Sequence, residues 1–217
     1  MALSKVNFNS MNVTPVASKA IKFNSSNNGL ETGDIGGSLV LISTQTASSS
    51  STISFTSGID STYKEYIFKF IDIHPSNDGD YFSFQANAAG GSGFNETITS
   101  TSFRAYHNEA DNDTALAYYG GSDFDQAQGT DFNKFGGGGV GSDADQICAG
   151  FLHLFNPSST TFVKHFMSRV VLVSDSDYLV EGYVAGYFNT TSAIDEIQFK
   201  FTSGNIDSGT IKMYGVK

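Results

Sequence analysis

The feature that most limits how this chain can fold is a period of two. From Ser38 to the C-terminus, apolar side chains sit at alternate positions or fill short runs, and nowhere take the three-and-four spacing of an amphipathic helix. In Ile197-Gln198-Phe199-Lys200-Phe201 the alternation is strict, and in the last run Ile211, Met213 and Gly215 alternate with Lys212 and Tyr214. Tyr66 to Ile73 is apolar on both faces, as expected of a strand inside a sandwich. Tyr81 to Asn87 puts Phe82, Phe84 and Ala86 on one face and Tyr81, Ser83 and Gln85 on the other. The turn Ser76-Asn77-Asp78-Gly79-Asp80 between these two runs predicts a hairpin. Further strands are predicted at Leu39 to Ile42, Ile98 to Tyr106, Ala115 to Tyr119, Ile147 to Phe155, Phe162 to Val173, Tyr178 to Phe188, Ile194 to Phe201 and Thr210 to Val216, with Ser43 to Ser51 a polar connector. Around ten strands at short spacing predict an all-β fold, an antiparallel, jelly-roll-like β-sandwich.

Composition agrees. The 19 Phe and 10 Tyr, with no Trp, suit a pleated, half-buried surface, and the 23 Gly supply the breaks between strands. Phe55-Thr56-Ser57-Gly58 is echoed by Phe201-Thr202-Ser203-Gly204, which suggests two equivalent strand–turn–strand corners. The segment Gly120 to Ser142 stands apart: it carries Asp123, Asp125 and Asp131 and the run Gly136 to Gly139, and no strand can be drawn through the glycines. It reads as a long functional loop.

Residues 1–36 differ from residues 37–217. They have no sustained period and contain the polar run Asn24-Ser25-Ser26-Asn27-Asn28-Gly29. Such a segment buries too little apolar surface to offset its own ordering entropy. It is expected to be an extended N-terminal arm that orders against a partner, with Val6, Phe8, Ile21 and Phe23 as hydrophobic pegs.

A net charge of −10 with only 12 basic residues, scattered singly, argues against a nucleic-acid surface. No apolar run is long enough to predict a membrane span, and the first residues lack the apolar core of a secretory signal, so synthesis in a reducing cytoplasm is expected. The single cysteine, Cys148, has strand-like flanks and reads as a buried, inert thiol. No cofactor is expected and no catalytic motif is found: the chain lacks a Gly-X-Ser-X-Gly elbow, a His-Glu-X-X-His pair and a phosphate loop. Carboxylates such as Asp72, Glu96, Asp195 and Glu196 are too numerous to single out a glycosidase pair. Turn aspartates Asp78, Asp80, Asp111 and Asp113 are candidate Ca²⁺ ligands, although neither cluster has the spacing of a twelve-residue calcium loop. Tyr106, Tyr118 and Tyr119, near polar loops, are candidates for stacking on sugar rings.

The C-terminal half carries a resemblance. The segments Phe151 to Thr161, Val184 to Asn189 and Ala193 to Phe199 lead into an ending in which Gly204-Asn205-Ile206 is followed by Gly209-Thr210-Ile211 and Tyr214-Gly215. Together they resemble the terminal β-domain of fibre-like virion proteins of marine tailed bacteriophages. Lys19 to Glu31 is similar to the short linker that precedes such domains, and the little chain before it fits a short spike, head fibre or decoration protein better than a long fibre. The resemblance implies a non-enzymatic virion protein with capsid or tail subunits as partners, displayed as a homo-oligomer, most often a trimer. A virion protein of this kind is a candidate for contact with host-surface glycans, and the long segment after Gly120 itself supplies the candidate receptor-facing loop, with Asp123, Phe124, Asp125, Asp131 and Phe132. A glycan-degrading depolymerase is the alternative.

Overall fold

The structure is a computed structural model and describes residues 13, 14, 16, 19–33, 37–121 and 123–217. Among these residues there is no helix, and every strand pairing is antiparallel. The chain divides into two units, residues 1–38 and 39–217. The division falls two residues after the expected boundary at 36.

In the first unit, β1 (Ala20–Phe23) pairs with β2 (Leu30–Gly33), and Phe23 lies opposite Leu30. The polar run expected to lack structure is a turn built by its asparagines. The Asn24 amide donates to the Gly29 carbonyl at 2.9 Å, Asn24 Nδ2 donates to Asn28 Oδ1 at 2.9 Å, and Asn27 takes a φ of 54°. Asparagine tolerates that conformation because its short side chain bonds to nearby backbone. The arm therefore contains a hairpin whose strands, among the described residues, pair only with each other. Ile21, Phe23 and Leu30 share one of its faces and are all exposed, Phe23 at 71%. Val6 and Phe8 lie outside the described residues.

The second unit is a sandwich of two unequal sheets. In chain order its strands are β3 (Leu39–Thr46), β4 (Ile53–Phe55), β5 (Glu65–Pro75), β6 (Phe82–Ala88), β7 (Ile98–Asn108), β8 (Thr114–Tyr118), β9 (Ala127–Gly129) and β10 (Asn133–Lys134). Then follow β11 (Cys148–Phe155), β12 (Lys164–Val173), β13 (Tyr178–Phe188), β14 (Ile194–Phe201) and β15 (Ile206–Val216). The smaller sheet runs β10-β6-β14-β4. The larger runs β3-β15-β5-β11-β12-β13-β7-β8, with β9 also on β7.

Phenylalanine joins the sheets. Phe68 and Phe70 of β5 face Phe82 of β6 and Phe199 of β14 across the interior, with ring centroids 5.2 to 5.4 Å apart for Phe70–Phe82, Phe70–Phe199 and Phe68–Phe199. Through Phe135 the network continues to Phe84 and on to Phe166 and Phe188. Phe55 and Phe201 close its other margin. All of these rings are at most 2% exposed. Edge-to-face and offset pairs of this kind add about 0.5–1.5 kcal/mol each beyond the area they bury. Cys148 is fully buried among them, and burial pushes its thiol pKa well up, as an inert thiol requires.

The structure corrects the hairpin expected from Tyr66 to Asn87. β5 belongs to the larger sheet and β6 to the smaller, so the turn between them arches across the core. Turn chemistry is the same for a hairpin and an arch. The difference arises because β6 is buried on both faces: Ser83 and Gln85 are fully buried as well as Phe82 and Phe84. The Gln85 amide donates to the carbonyls of Glu96, Thr130 and Asp131 at 3.0–3.1 Å, which explains how a polar face is tolerated inside.

Three further expectations change. The connector Ser43 to Ser51 is strand as far as Thr46, and Ile53–Phe55 forms the unforeseen β4. Phe162 precedes its strand and is 69% exposed. The segment 120–142 contains β9 and β10, and residues 135–141 are buried. The echo of Phe-Thr-Ser-Gly marks two like corners. β4 and β14 are neighbours in the smaller sheet, each ends on its Phe, and each leads through a positive-φ glycine (Gly58, 86°; Gly204, 62°) into neighbouring strands of the larger sheet.

Phe199 touches Phe55, Phe68, Phe70, Phe82 and Phe135, so Phe199→Ala is expected to lower unfolding free energy by about 3–5 kcal/mol in denaturant titration. Phe162→Ala is expected to change it by less than about 0.5 kcal/mol. Equal effects would contradict the described core.

Candidate functional site

The candidate site grows from a glycine contact. Arg104 on β7 lies opposite Gly182 on β13. A side chain at Gly182 would collide with the backbone of Gly136, so the absence of one lets the run Gly136 to Gly139 lie against the larger sheet. Gly136 and Gly137 take φ of 75° and 69°, which glycine adopts at little cost. The run then places the Gly137 carbonyl where Arg104 Nη1 donates to it.

The Arg104 guanidinium is stacked at 4.0 Å from the centre of the Tyr119 ring and at 4.9 Å from that of Tyr106. Tyr106 in turn meets the Tyr178 ring at 5.6 Å, and Tyr178 donates its hydroxyl to Asp113 at 3.0 Å. That hydrogen bond holds the Tyr178 phenol pKa above its ordinary value. These side chains, with Tyr81, Gly138, Gly139, Val180 and residues 174–176, line a cavity of about 300 Å³ in the sandwich unit. The Tyr81 phenol is likewise held up, chiefly by burial and then by the nearby Tyr119 and Asp175. Arg104 has no ion pair among the described residues, and its Nε is buried without a hydrogen-bond partner.

The residues expected to face a receptor behave differently from one another. Phe124 is buried at 5% exposure against Tyr119 and Tyr81, 4.7 and 5.3 Å away, and is unavailable to a ligand. Asp123 sits 3.4 Å from Lys134 Nζ. Asp125 accepts from the Tyr118 hydroxyl at 2.7 Å and from the Gly121 amide, bonds that hold its pKa down and fasten the loop. Asp131 remains exposed, and Phe132 is half-buried with Lys200 Nζ 4.1 Å above its ring. The loop thus mainly supports the cavity wall. Of the tyrosines expected to stack on sugars, Tyr106 and Tyr119 line the cavity, while Tyr118 lies outside it and is 61% exposed.

The Ca²⁺ candidates do not converge. Asp80 is 6% exposed, and its oxygens accept from the Tyr81 amide, the Thr202 hydroxyl and both the amide and hydroxyl of Ser203. These bonds fix the arch between the sheets and leave Asp80 no outward-facing role. Asp78 accepts from the Ser142 amide at 3.0 Å, and Asp111 lies 2.9 Å from His107 Nε2. Asp113 is engaged by Tyr178. Among the described residues no three acidic, histidine or cysteine side chains are grouped to hold a metal. Sequence reasoning missed Arg104, because a single arginine in a strand has no spacing signal. Its importance follows from Gly182 and Gly137, which are distant in sequence.

A phenol with a raised folded-state pKa contributes stability that is fully present below the unfolded value of about 10 and is lost as pH rises through the folded pKa. Tyr81→Phe is therefore expected to gain stability relative to the parent between about pH 9 and pH 11, measured by urea midpoints. A constant difference across that range would contradict the buried environment of Tyr81.

No family model matches the chain, and no curated protein or solved structure is significantly similar to it.

Proposed function

We propose that the protein is a structural protein of a bacteriophage virion, a short fibre, spike or decoration protein, anchored by its N-terminal segment and displaying the β-sandwich on the particle surface. The observation that carries this reading is the β1–β2 hairpin. Among the described residues each of its strands has one strand neighbour, which leaves the other edge of each without a strand partner there, and Ile21, Phe23 and Leu30 expose an apolar face. Open strand edges beside apolar side chains are what strand addition to a partner protein uses. The resemblance of Lys19 to Glu31 and of the C-terminal segments to fibre-like virion proteins supports the same assignment.

Capsid or tail subunits are the proposed partners of the hairpin. Copies of the chain associate with one another, most often as a trimer, because a single small anchor binds weakly and multivalency raises effective concentration. Phe103, Leu116, Met167 and Leu179, exposed on the larger sheet, supply apolar surface for that association. The displayed sandwich contacts host-surface glycans, and the tyrosine-lined cavity beside Arg104 is the place for such contact.

The anchoring role is tested by truncation. A protein comprising residues 39–217 is expected to be soluble and folded but absent from purified particles, and Phe23→Ser in the full chain should lower copy number per particle. Normal incorporation of the truncated protein would overturn the assignment. Light scattering on the full chain should give a multiple of 23.2 kDa, and a monomer at micromolar concentration would rule out the self-association.

A further inference from the structure

We infer that the cavity around Arg104 binds an acidic saccharide, a pyranose bearing a carboxylate, and that Arg104 recognises the carboxylate. The inference deepens the glycan-contact part of the reading above and rests on it for the source of the ligand.

Arg104 is the starting point. Its guanidinium is flanked by the rings of Tyr106 and Tyr119, one amino group is committed to the Gly137 carbonyl, and Nη2 donates to no protein group among the described residues. Among the described residues no carboxylate pairs with it, although the chain as a whole carries a net charge of −10. A half-buried cation with an unmet planar donor set is complementary to a carboxylate, whose two oxygens match a guanidinium edge. Pinning at Gly137 and stacking on both rings hold that edge in place, so little ordering is lost when a ligand binds.

The remaining walls select the kind of anion. Asp113 and Asp175 also line the cavity and repel a second negative charge, which disfavours phosphate and other multiply charged groups. The same carboxylates accept hydrogen bonds from hydroxyls. Ser174 and Ser176 contribute hydroxyls, and the tyrosines offer ring surface for the C–H face of a pyranose. The volume of about 300 Å³ lies at the lower end of small-ligand sites, the scale of one or two sugar rings. A single negative charge, several hydroxyls and one apolar ring face together describe a carboxylated sugar. Both hexuronates and sialic-acid-type sugars have this chemistry.

The test is calorimetric titration of the full chain with methyl galacturonide, with sialyl-lactose, with neutral methyl galactoside and with inorganic phosphate. Binding of either acidic sugar, weakened by added salt, together with weaker binding of methyl galactoside and phosphate, is expected. Which acidic sugar binds identifies the source. Arg104→Met should weaken binding at least about tenfold, the scale of a lost charge-assisted hydrogen bond. Arg104→Lys, which keeps the charge and not the planar fork, should fall between. Should Arg104→Met fail to fold, Asp175→Asn provides the second reading: removing its charge should improve binding of both the acidic sugar and phosphate. Equal affinity for neutral and acidic sugars, no binding of either acidic sugar, or insensitivity to both Arg104 substitutions would overturn the inference. Particles that carry the protein while it binds no acidic sugar would leave the virion role intact. A full chain that binds acidic sugar yet is missing from particles would remove the virion role and keep the site.

Discussion

Ten phenylalanine rings in mutual contact run through the interior of the sandwich, and the rest of the second unit is arranged around them. They come from both sheets, with Phe68, Phe70, Phe166 and Phe188 on the larger and Phe55, Phe82, Phe84, Phe199 and Phe201 on the smaller. Phe135, from the segment after β10, bridges the two groups. A chain without tryptophan obtains its large buried surfaces this way. Because aromatic rings prefer edge-to-face and offset packing, the network constrains ring orientation as well as burial, which helps set how the sheets face each other. The smaller sheet is four strands wide and the larger nine, so the smaller cannot cover all of its partner.

The glycine run addresses that mismatch. Where β13 and β7 extend toward the margin of the larger sheet, residues 135–141 lie against it in place of a further strand, made possible by Gly182. Backbone without side chains can approach a sheet closely, and in doing so it brings a carbonyl to Arg104 and leaves the tyrosines around it partly uncovered. The cavity is thus a product of incomplete coverage. The groups lining it are largely polar, and Arg104 is held there by stacking on two tyrosine rings and by its hydrogen bond to the Gly137 carbonyl.

Much of the strand content was legible in the sequence, and so was the burial of Cys148, because a period of two is local and a buried face repeats every other residue. The corners at Phe55 and Phe201 were legible from their shared four residues. The hairpin expected between β5 and β6 was not, since the turn residues 76–80 suit both an arch and a hairpin. What separates them is the burial of Ser83 and Gln85 by backbone carbonyls more than ten residues away. The turn at 24–29 is not legible from polarity alone, because its order comes from local bonding of the asparagine side chains.

By itself, then, the sequence determined the class of fold, an all-β chain with a distinct N-terminal segment and an aromatic interior, since these depend on neighbours one or two positions apart. Only the tertiary structure decided which sheet each strand joins, that the acidic loop supports a wall, and that Arg104 stands in a tyrosine-lined cavity. Those outcomes depend on pairings such as Gly136 with Gly182 and Arg104 with Gly137, whose members are tens of residues apart. No local pattern encodes a contact whose entropy cost is met only when the whole core assembles.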